Sequence, residues 1–380
     1  MVTTEPFTID ISDATLTDLR ERLERTRFPA ASATTPWQAG VDPDYLRGLV
    51  AYWADGFDWR AQETALNDVP QFLADLGGRT LHYVHVPAAA DATTRVPIVL
   101  CHGWPSAFTE MLALADRLAH PARFGASADL AFDVVIPSLP GFLFSDLPSG
   151  PFTRETVADD LHALMTDGLG FDRYAAFGGD IGGTVAAWLG AKYPERVIGI
   201  HMIHPPFPAT FDEPVSVEEQ AFLDAEEVYD TTDAGYSWIM QTRPDTVASA
   251  LIDSPSGLAA WIVDKLRDWS DCDGDLESRF DRDTLLTLVT LYWVTESIGT
   301  SFRQYLDFEH NAPRPGIDGP AAFTLSSELG MVGYPRSIAE RACSDIRFWH
   351  EPKRGGHFLA HEEPDLMAGE IREFVVSLCQ

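Results

Sequence analysis

The sequence predicts an α/β fold: a mostly parallel sheet, helices on both faces, and a helical block inserted between two strands. Three observations carry this. Short apolar runs with β-branched residues recur at Pro97–Cys101, Asp133–Pro137, Tyr174–Gly178 and Val197–Met202, separated by helical stretches. Continuous apolar strands alternating with helices belong to parallel sheets covered on both faces. The alternation stops near Pro205-Pro206, and residues 211–312 read as helical and aromatic, without a strand run. It resumes with strand-like runs at Ala321–Leu325 and Ile346–Trp349 and a last helix after Pro364.

Ahead of this pattern the chain is helical and rich in Trp. Asp13 caps a helix running through Leu16, Leu19 and Leu23 to Arg27, its apolar positions falling on one face. Tyr45–Trp53 is a second helical pattern, followed by Phe57-Asp58-Trp59-Arg60. Arg79–Val86 then alternates as a strand does. The chain thus divides into a leading segment (1–88), a core in two parts (89–210 and 313–380) and a helical cap (211–312). Such a cap lies over the carboxyl ends of the strands, where open α/β sheets place their sites.

Of the 380 residues, 45% are hydrophobic and 22% charged, which suits a folded globular chain and excludes disorder for most of its length. The net charge of −31 repels phosphate backbones and anionic lipid, which argues against nucleic-acid and membrane partners. No run approaches the ~20 apolar residues of a bilayer span, and the start lacks the basic and apolar regions of a secretory signal. Cys101, Cys272, Cys343 and Cys379 are far apart and form no CxxC; Cys101 ends an apolar run and reads as a core thiol. A protein of the reducing cytoplasm is expected.

The most informative segment is Phe177–Gly183, FGGDIGG, which joins a strand to a helix. It has the shape of a nucleophile elbow, with Asp180 where a serine hydrolase carries its serine. The flanking glycines suit a sharp turn with strained dihedrals at the nucleophile, and the helix N-terminus favours a charged Asp180. A capping aspartate in a glycine turn is the plainer explanation of the same letters. An aspartate nucleophile restricts the chemistry to displacement at a saturated carbon. The product is an ester, which water then cleaves at its carbonyl. Epoxides and haloalkanes fit that scheme, whereas peptides and simple esters do not.

Ester hydrolysis needs a base, a group orienting it, and an oxyanion hole. Gly355-Gly356-His357-Phe358 lies between a strand and the last helix, where an α/β-hydrolase places its histidine, and the order nucleophile, acid, histidine holds. Glu328, just after the Ala321–Leu325 strand, is the acid expected to orient His357; Asp318 and Asp345 are less well placed. His102-Gly103-Trp104-Pro105 follows another strand end, and its turn aims the Trp104 amide at the nucleophile, with the Ile181 amide as second donor. His102 itself is read as fixing the loop.

These residues resemble the microsomal-type epoxide hydrolase family of the α/β-hydrolase superfamily, over essentially the whole chain. The resemblance rests on Trp37, Tyr45-Leu46, Tyr52-Trp53, Phe57–Arg60, Leu66-Asn67 and Leu81–His85 in the leading segment. The HGWP, GGDIGG and GGHFLAHEEPD motifs then follow in order. It implies an α/β-hydrolase fold with a helical cap insertion and an N-terminal leading domain characteristic of the family. It also implies a small-molecule epoxide as substrate, a vicinal diol as product and no cofactor; a homodimer is an expectation of the family alone. Two cap tyrosines that protonate the epoxide oxygen carry over to Tyr236 and Tyr305, with Tyr229 and Tyr292 ranked below them. A phenol of pKa about 10 keeps the needed proton at neutral pH.

This sequence departs from the family in three places. No leading anchor helix is read at its start, so it is expected to be similar to the soluble bacterial-type members, some of which serve natural-product pathways. FTLSSE stands where many relatives have a longer stretch before the acid. The run DWSDCDGDLESRF is unusually acidic, with no role assigned. The cap aromatics, Trp238 and Phe302 among them, predict a roomy apolar pocket for an aryl or otherwise bulky epoxide.

Other readings of the motifs are weaker. His357 and His361 have zinc-like spacing, but Phe358 stands where a Glu is needed, so no metal is expected. Asp271–Asp275 is a poor calcium loop, its Gly too early and Arg282 at the last ligand position. Haloalkane dehalogenase chemistry shares the Asp nucleophile, but Ile181 follows Asp180 where a halide-binding N–H donor is wanted. A binding protein on the same scaffold has no need of Asp180, His357 and the oxyanion loop together.

Overall fold

The computed structural model describes residues 2–150, 152–208, 211, 215–307, 316–327 and 333–378. Among the described residues, nine strands form one sheet: β1 (Thr3–Phe7), β2 (Gln71–Asp75), β3 (Thr80–Val86), β4 (Thr94–Cys101), β5 (Leu130–Pro137), β6 (Tyr174–Gly178), β7 (Val197–Met202), β8 (Ile317–Thr324) and β9 (Cys343–His350). Their order is β1-β2-β3-β5-β4-β6-β7-β8-β9. Pairing is antiparallel through β1, β2, β3 and β5, and parallel from β5 across to β9. This is an α/β-hydrolase fold. Its later strands fall on the apolar runs the sequence predicts, extended by up to a few residues. β1 and β2 are additional to that reading: Thr-Thr-Glu-Pro-Phe and Gln-Phe-Leu-Ala-Asp are short and carry little alternation, so their strand state comes from pairing with each other and with β3.

The leading helices are α1 (Asp13–Glu24), α2 (Pro43–Asp55) and α3 (Trp59–Asn67). Each begins at a side-chain cap: Ser12 Oγ accepts the Thr15 N–H at 3.1 Å, Asp42 the Tyr45 N–H at 2.9 Å, and Asp58 the Ala61 N–H at 3.1 Å. The cap of α1 is thus Ser12, one residue before the Asp13 expected from sequence. α4 (Leu112–Ala119), α5 (Arg154–Ala163) and α6 (Asp180–Lys192) cover the sheet between its central strands. Between β7 and β8 run α7 (Val217–Thr232), α8 (Gly235–Thr242), α9 (Pro244–Leu251), α10 (Pro255–Trp269), α11 (Arg282–Val294), α12 (Ile298–Ser301) and α13 (Arg303–Leu306). α14 (Arg336–Ala342), α15 (Leu359–Glu362) and α16 (Pro364–Leu378) complete the chain. Glu328 and the 312–313 boundary lie outside the described residues. Among those described, no single helix is long and apolar enough to cross a membrane.

Register decides where the site forms. Cys101 pairs with Gly178, Gly178 with Met202, and Met202 with Phe323, so β4, β6, β7 and β8 end level with one another. The residues just past those ends share one edge of the sheet. β4 also sits between β5 and β6, so the next two strands in sequence flank it on opposite sides, the reversal of strand order that opens a crevice at the strand ends.

Candidate active site

Asp180 occupies that edge as the first residue of α6, with φ +51°. A non-glycine residue in this left-handed region is strained, and its surroundings are tightly packed. A Cβ at Gly182 would run into the Cys101 carbonyl, and one at Gly103 into the Asp180 side chain. The glycines therefore let β4, its following loop and α6 close onto the carboxylate. The Trp104 N–H donates to Asp180 Oδ1 at 3.0 Å. His102 holds that loop: its Nδ1 lies 2.9 Å from the Gly103 carbonyl and its Nε2 accepts the Leu139 N–H at 3.1 Å. Burial pushes its pKa down to about 4, so the neutral ring spans both contacts.

On the other side, the Asp180 N–H donates to His204 Nδ1 at 2.8 Å, just past the end of β7. Burial lowers the His204 pKa to about 3, which keeps that nitrogen an acceptor.

His357 places Nε2 3.8 Å from Asp180 Oδ2. That is longer than a hydrogen bond. Burial pushes its pKa down to about 3, so the ring is neutral at pH 7. The loop carrying it is held by the helical insertion. The His357 N–H donates to the Trp269 carbonyl at 2.7 Å, and the Gly355 N–H to Asp271 Oδ2 at 2.9 Å. The buried Glu362 accepts the N–H groups of Asp271, Gly356 and Phe358 at 2.8, 3.0 and 3.1 Å. Arg279 closes this cluster on Asp271 and Glu363, at 2.8 and 3.0 Å. The acidic run that sequence leaves without a role thus clamps the histidine loop to the insertion. His361 belongs to the same packing: it stacks on Phe280 at 4.4 Å, with Nε2 3.1 Å from the Arg279 carbonyl.

A cavity of about 300 Å³ lies over these groups, lined by Asp180, Ile181, Tyr236, Tyr305, Trp269 and His357 among others. Tyr236 stacks on Trp104, with ring centroids 5.5 Å apart, and meets Tyr305 edge-on at 6.1 Å. Burial, and then neighbouring groups that include the Asp180 carboxylate, hold both phenols well above their ordinary pKa, so both keep their protons. A larger open groove of about 530 Å³ beside Trp53–Arg60 holds none of these groups.

The site has counterparts among known proteins. A family model described as "Epoxide hydrolase N terminus" matches residues 4–111, and one described as "alpha/beta hydrolase fold" matches 96–241. A Stigmatella aurantiaca protein whose name provisionally assigns it to the epoxide hydrolases is 38% identical, over 97% of this chain and 84% of its own. Epoxide hydrolase 1 of Sus scrofa is 31% identical, over 97% of this chain and 88% of its own. The chain belongs to the epoxide hydrolase family. The solved epoxide hydrolase of Aspergillus niger superposes on this family member with a TM-score of 0.84 at 30% identity, covering 98% of this chain and 96% of that one.

Of the residues singled out in this family member's sequence, Asp180, His357, Tyr236, Tyr305 and Ile181 line one cavity, and the Trp104 amide reaches Asp180. Trp238 and Phe302 do not line it. Tyr236 and Trp238 are two positions apart on α8, about 200° around the helix, so Tyr236 faces inward while Trp238 is 55% exposed. Phe302 is fully buried against Trp104, at 6.2 Å. Tyr229 does line the cavity, whereas Tyr292 is a packing residue whose hydroxyl donates to the Ser106 carbonyl at 2.9 Å. Asp318 and Asp345 lie near the amino ends of β8 and β9, away from the level strand ends. Sequence reasoning missed His204, whose only signal is its place two residues after β7.

Proposed function

We propose that this family member opens epoxides by a two-step displacement. An epoxide lies in the 300 Å³ cavity with its oxygen hydrogen-bonded by Tyr236 and Tyr305. Asp180 attacks a ring carbon from the opposite face; the C–O bond breaks, and a tyrosine proton neutralises the departing oxygen. His357 then takes a proton from a water as that water attacks the ester carbonyl. The oxyanion falls on the Trp104 and Ile181 amides, collapse releases a vicinal diol, and the proton left on the Asp180 carboxyl restores the tyrosine.

The observation that carries this reading is the convergence of one strained carboxylate, one neutral imidazole and two protonated phenols on a single cavity. Glu328 is the proposed partner of His357. Its neighbour Ser327 supports this, donating its N–H at 2.9 Å and its hydroxyl at 2.8 Å to the Gly355 carbonyl, two residues from His357. The aromatic walls, Trp269 and Tyr229, favour an aryl or bulky epoxide over a small alkyl one. Haloalkane displacement is disfavoured because Ile181 has no side-chain N–H for a departing halide, while two phenols suit an alkoxide.

The test is diol formation from styrene oxide, with Asp180→Ala as control. Activity that disappears in the variant supports the reading. In His357→Ala, a covalent adduct one substrate heavier should accumulate in the intact mass; its absence would sink the two-step scheme.

A further inference from the structure

Beside the substrate cavity is a separate space of about 10 Å³, walled by Trp104, Ser106, Glu110, Gly179, Asp180 and His357. That is close to the room one water needs. Its walls include three ionisable side chains, and two of them, Asp180 and His357, are the groups between which ester hydrolysis must happen. The third is Glu110, on the single helical turn Phe108–Met111.

Glu110 is an unusual carboxyl. It is only 9% exposed, and among the described residues no cation lies within ion-pair distance of it. Ser106 Oγ hydrogen-bonds Glu110 Oε2. Ser106 is fixed in turn, its carbonyl accepting from Tyr292 at 2.9 Å and its Oγ from the Ala107 N–H at 2.6 Å. Burial, and then the Asp180 charge, push the Glu110 pKa up to about 8. Burying a carboxyl without a cation costs stability. Such groups concentrate at functional sites. Ser106 and Glu110 also wall a further cavity of about 240 Å³, whose lining includes Leu66 and Leu285.

We propose that Glu110 holds the hydrolytic water. The inference rests on the two-step reading above. The water sits in the 10 Å³ space. One O–H points to His357 Nε2 and the other to the Glu110 oxygen not engaged by Ser106, so an oxygen lone pair faces the ester carbon of Asp180. As the new C–O bond forms, the first proton passes to His357 and the carbonyl electron pair moves to oxygen at the Trp104 amide. Collapse breaks the bond to the alkyl oxygen, which leaves with the proton from His357, and the water's second proton, left on the Asp180 carboxyl, passes to the tyrosine that gave up its own on ring opening. Glu110 ends as it began.

The role separates the two steps, and single-turnover kinetics with styrene oxide reads them apart. Glu110→Leu keeps much of the side chain's volume and removes both carboxyl oxygens. Ester formation should stay within about 2-fold of wild type, while ester decay slows by about 10- to 100-fold, so the adduct dominates the intact mass during turnover. Glu110→Asp should recover part of the decay rate. Equal losses in both steps, or unchanged decay, would overturn the proposal and leave Glu110 a packing residue. Failure of wild type and His357→Ala to form any ester would instead overturn the two-step reading and this inference with it.

Discussion

The two halves of the site are made by different means. Below, at the strand ends, backbone geometry does the placing: level strand registers, a left-handed Asp180, and glycines at 103 and 182 where no Cβ fits. Above, in the insertion, side chains do it: Tyr236 stacked on Trp104, and Asp271, Arg279 and Glu362 holding the His357 loop. Backbone-built geometry tolerates no added atom. A side-chain-built wall divides its work among several groups and degrades in steps.

The sharpest way to break this contrast is Gly182→Ala. The added methyl meets the Cys101 carbonyl, which is backbone and cannot rotate aside. Overpacking of this kind costs about 1–3 kcal/mol, and a shift of an ångström at the nucleophile costs about 100-fold in rate. Turnover should fall by at least that factor, with a lower thermal midpoint. Wild-type activity would show that the elbow is not the rigid half.

Next come the phenols. Tyr236→Phe and Tyr305→Phe should each slow ester formation by about 10- to 100-fold, and together by more than either alone, since one donor partly covers for the other. Ester decay should hardly change. If either single variant abolished alkylation, the sharing of load assigned to the upper half would be wrong.

Arg279→Met should have a smaller effect. It leaves Asp271 and Glu363 without their shared cation, at a cost of about 1–3 kcal/mol, and loosens the loop behind His357. Ester decay should slow several-fold and the thermal midpoint should drop, with alkylation untouched. A variant that slowed alkylation instead would place the clamp's influence on Asp180.

The same contrast explains what the sequence made legible. The elbow was readable because its chemistry dictates residue types locally: a left-handed turn under a packed strand admits few letters beside glycine, and Asp180 sits among them. The parallel strands were readable because burial on both faces forces apolar runs. β1 and β2 were not, because strands this short at the margin of a sheet are made by their partners. His204 was invisible because its contact with Asp180 depends on β7 ending level with β6, a fact of register. The acidic run around Asp271 looked purposeless because its partner, the Gly355 amide, is 84 residues away.

Aromatic content proved the poorest guide, and Trp238 shows why. Helix phase decides which aromatic faces the cavity, and Trp238 is on the outer side of α8, 55% exposed. Trp238→Ala should therefore leave kcat/KM for styrene oxide within about 2-fold and stability within about 0.5 kcal/mol, as for other exposed positions. Tyr236→Phe, two residues away, should slow alkylation by at least ten times as much. The pair measures how sharply α8 divides a catalytic face from a solvent face. A 10-fold loss in kcat/KM for Trp238→Ala would mean that α8 rotates or closes when substrate binds, and that the upper half is assembled by the ligand rather than waiting for it.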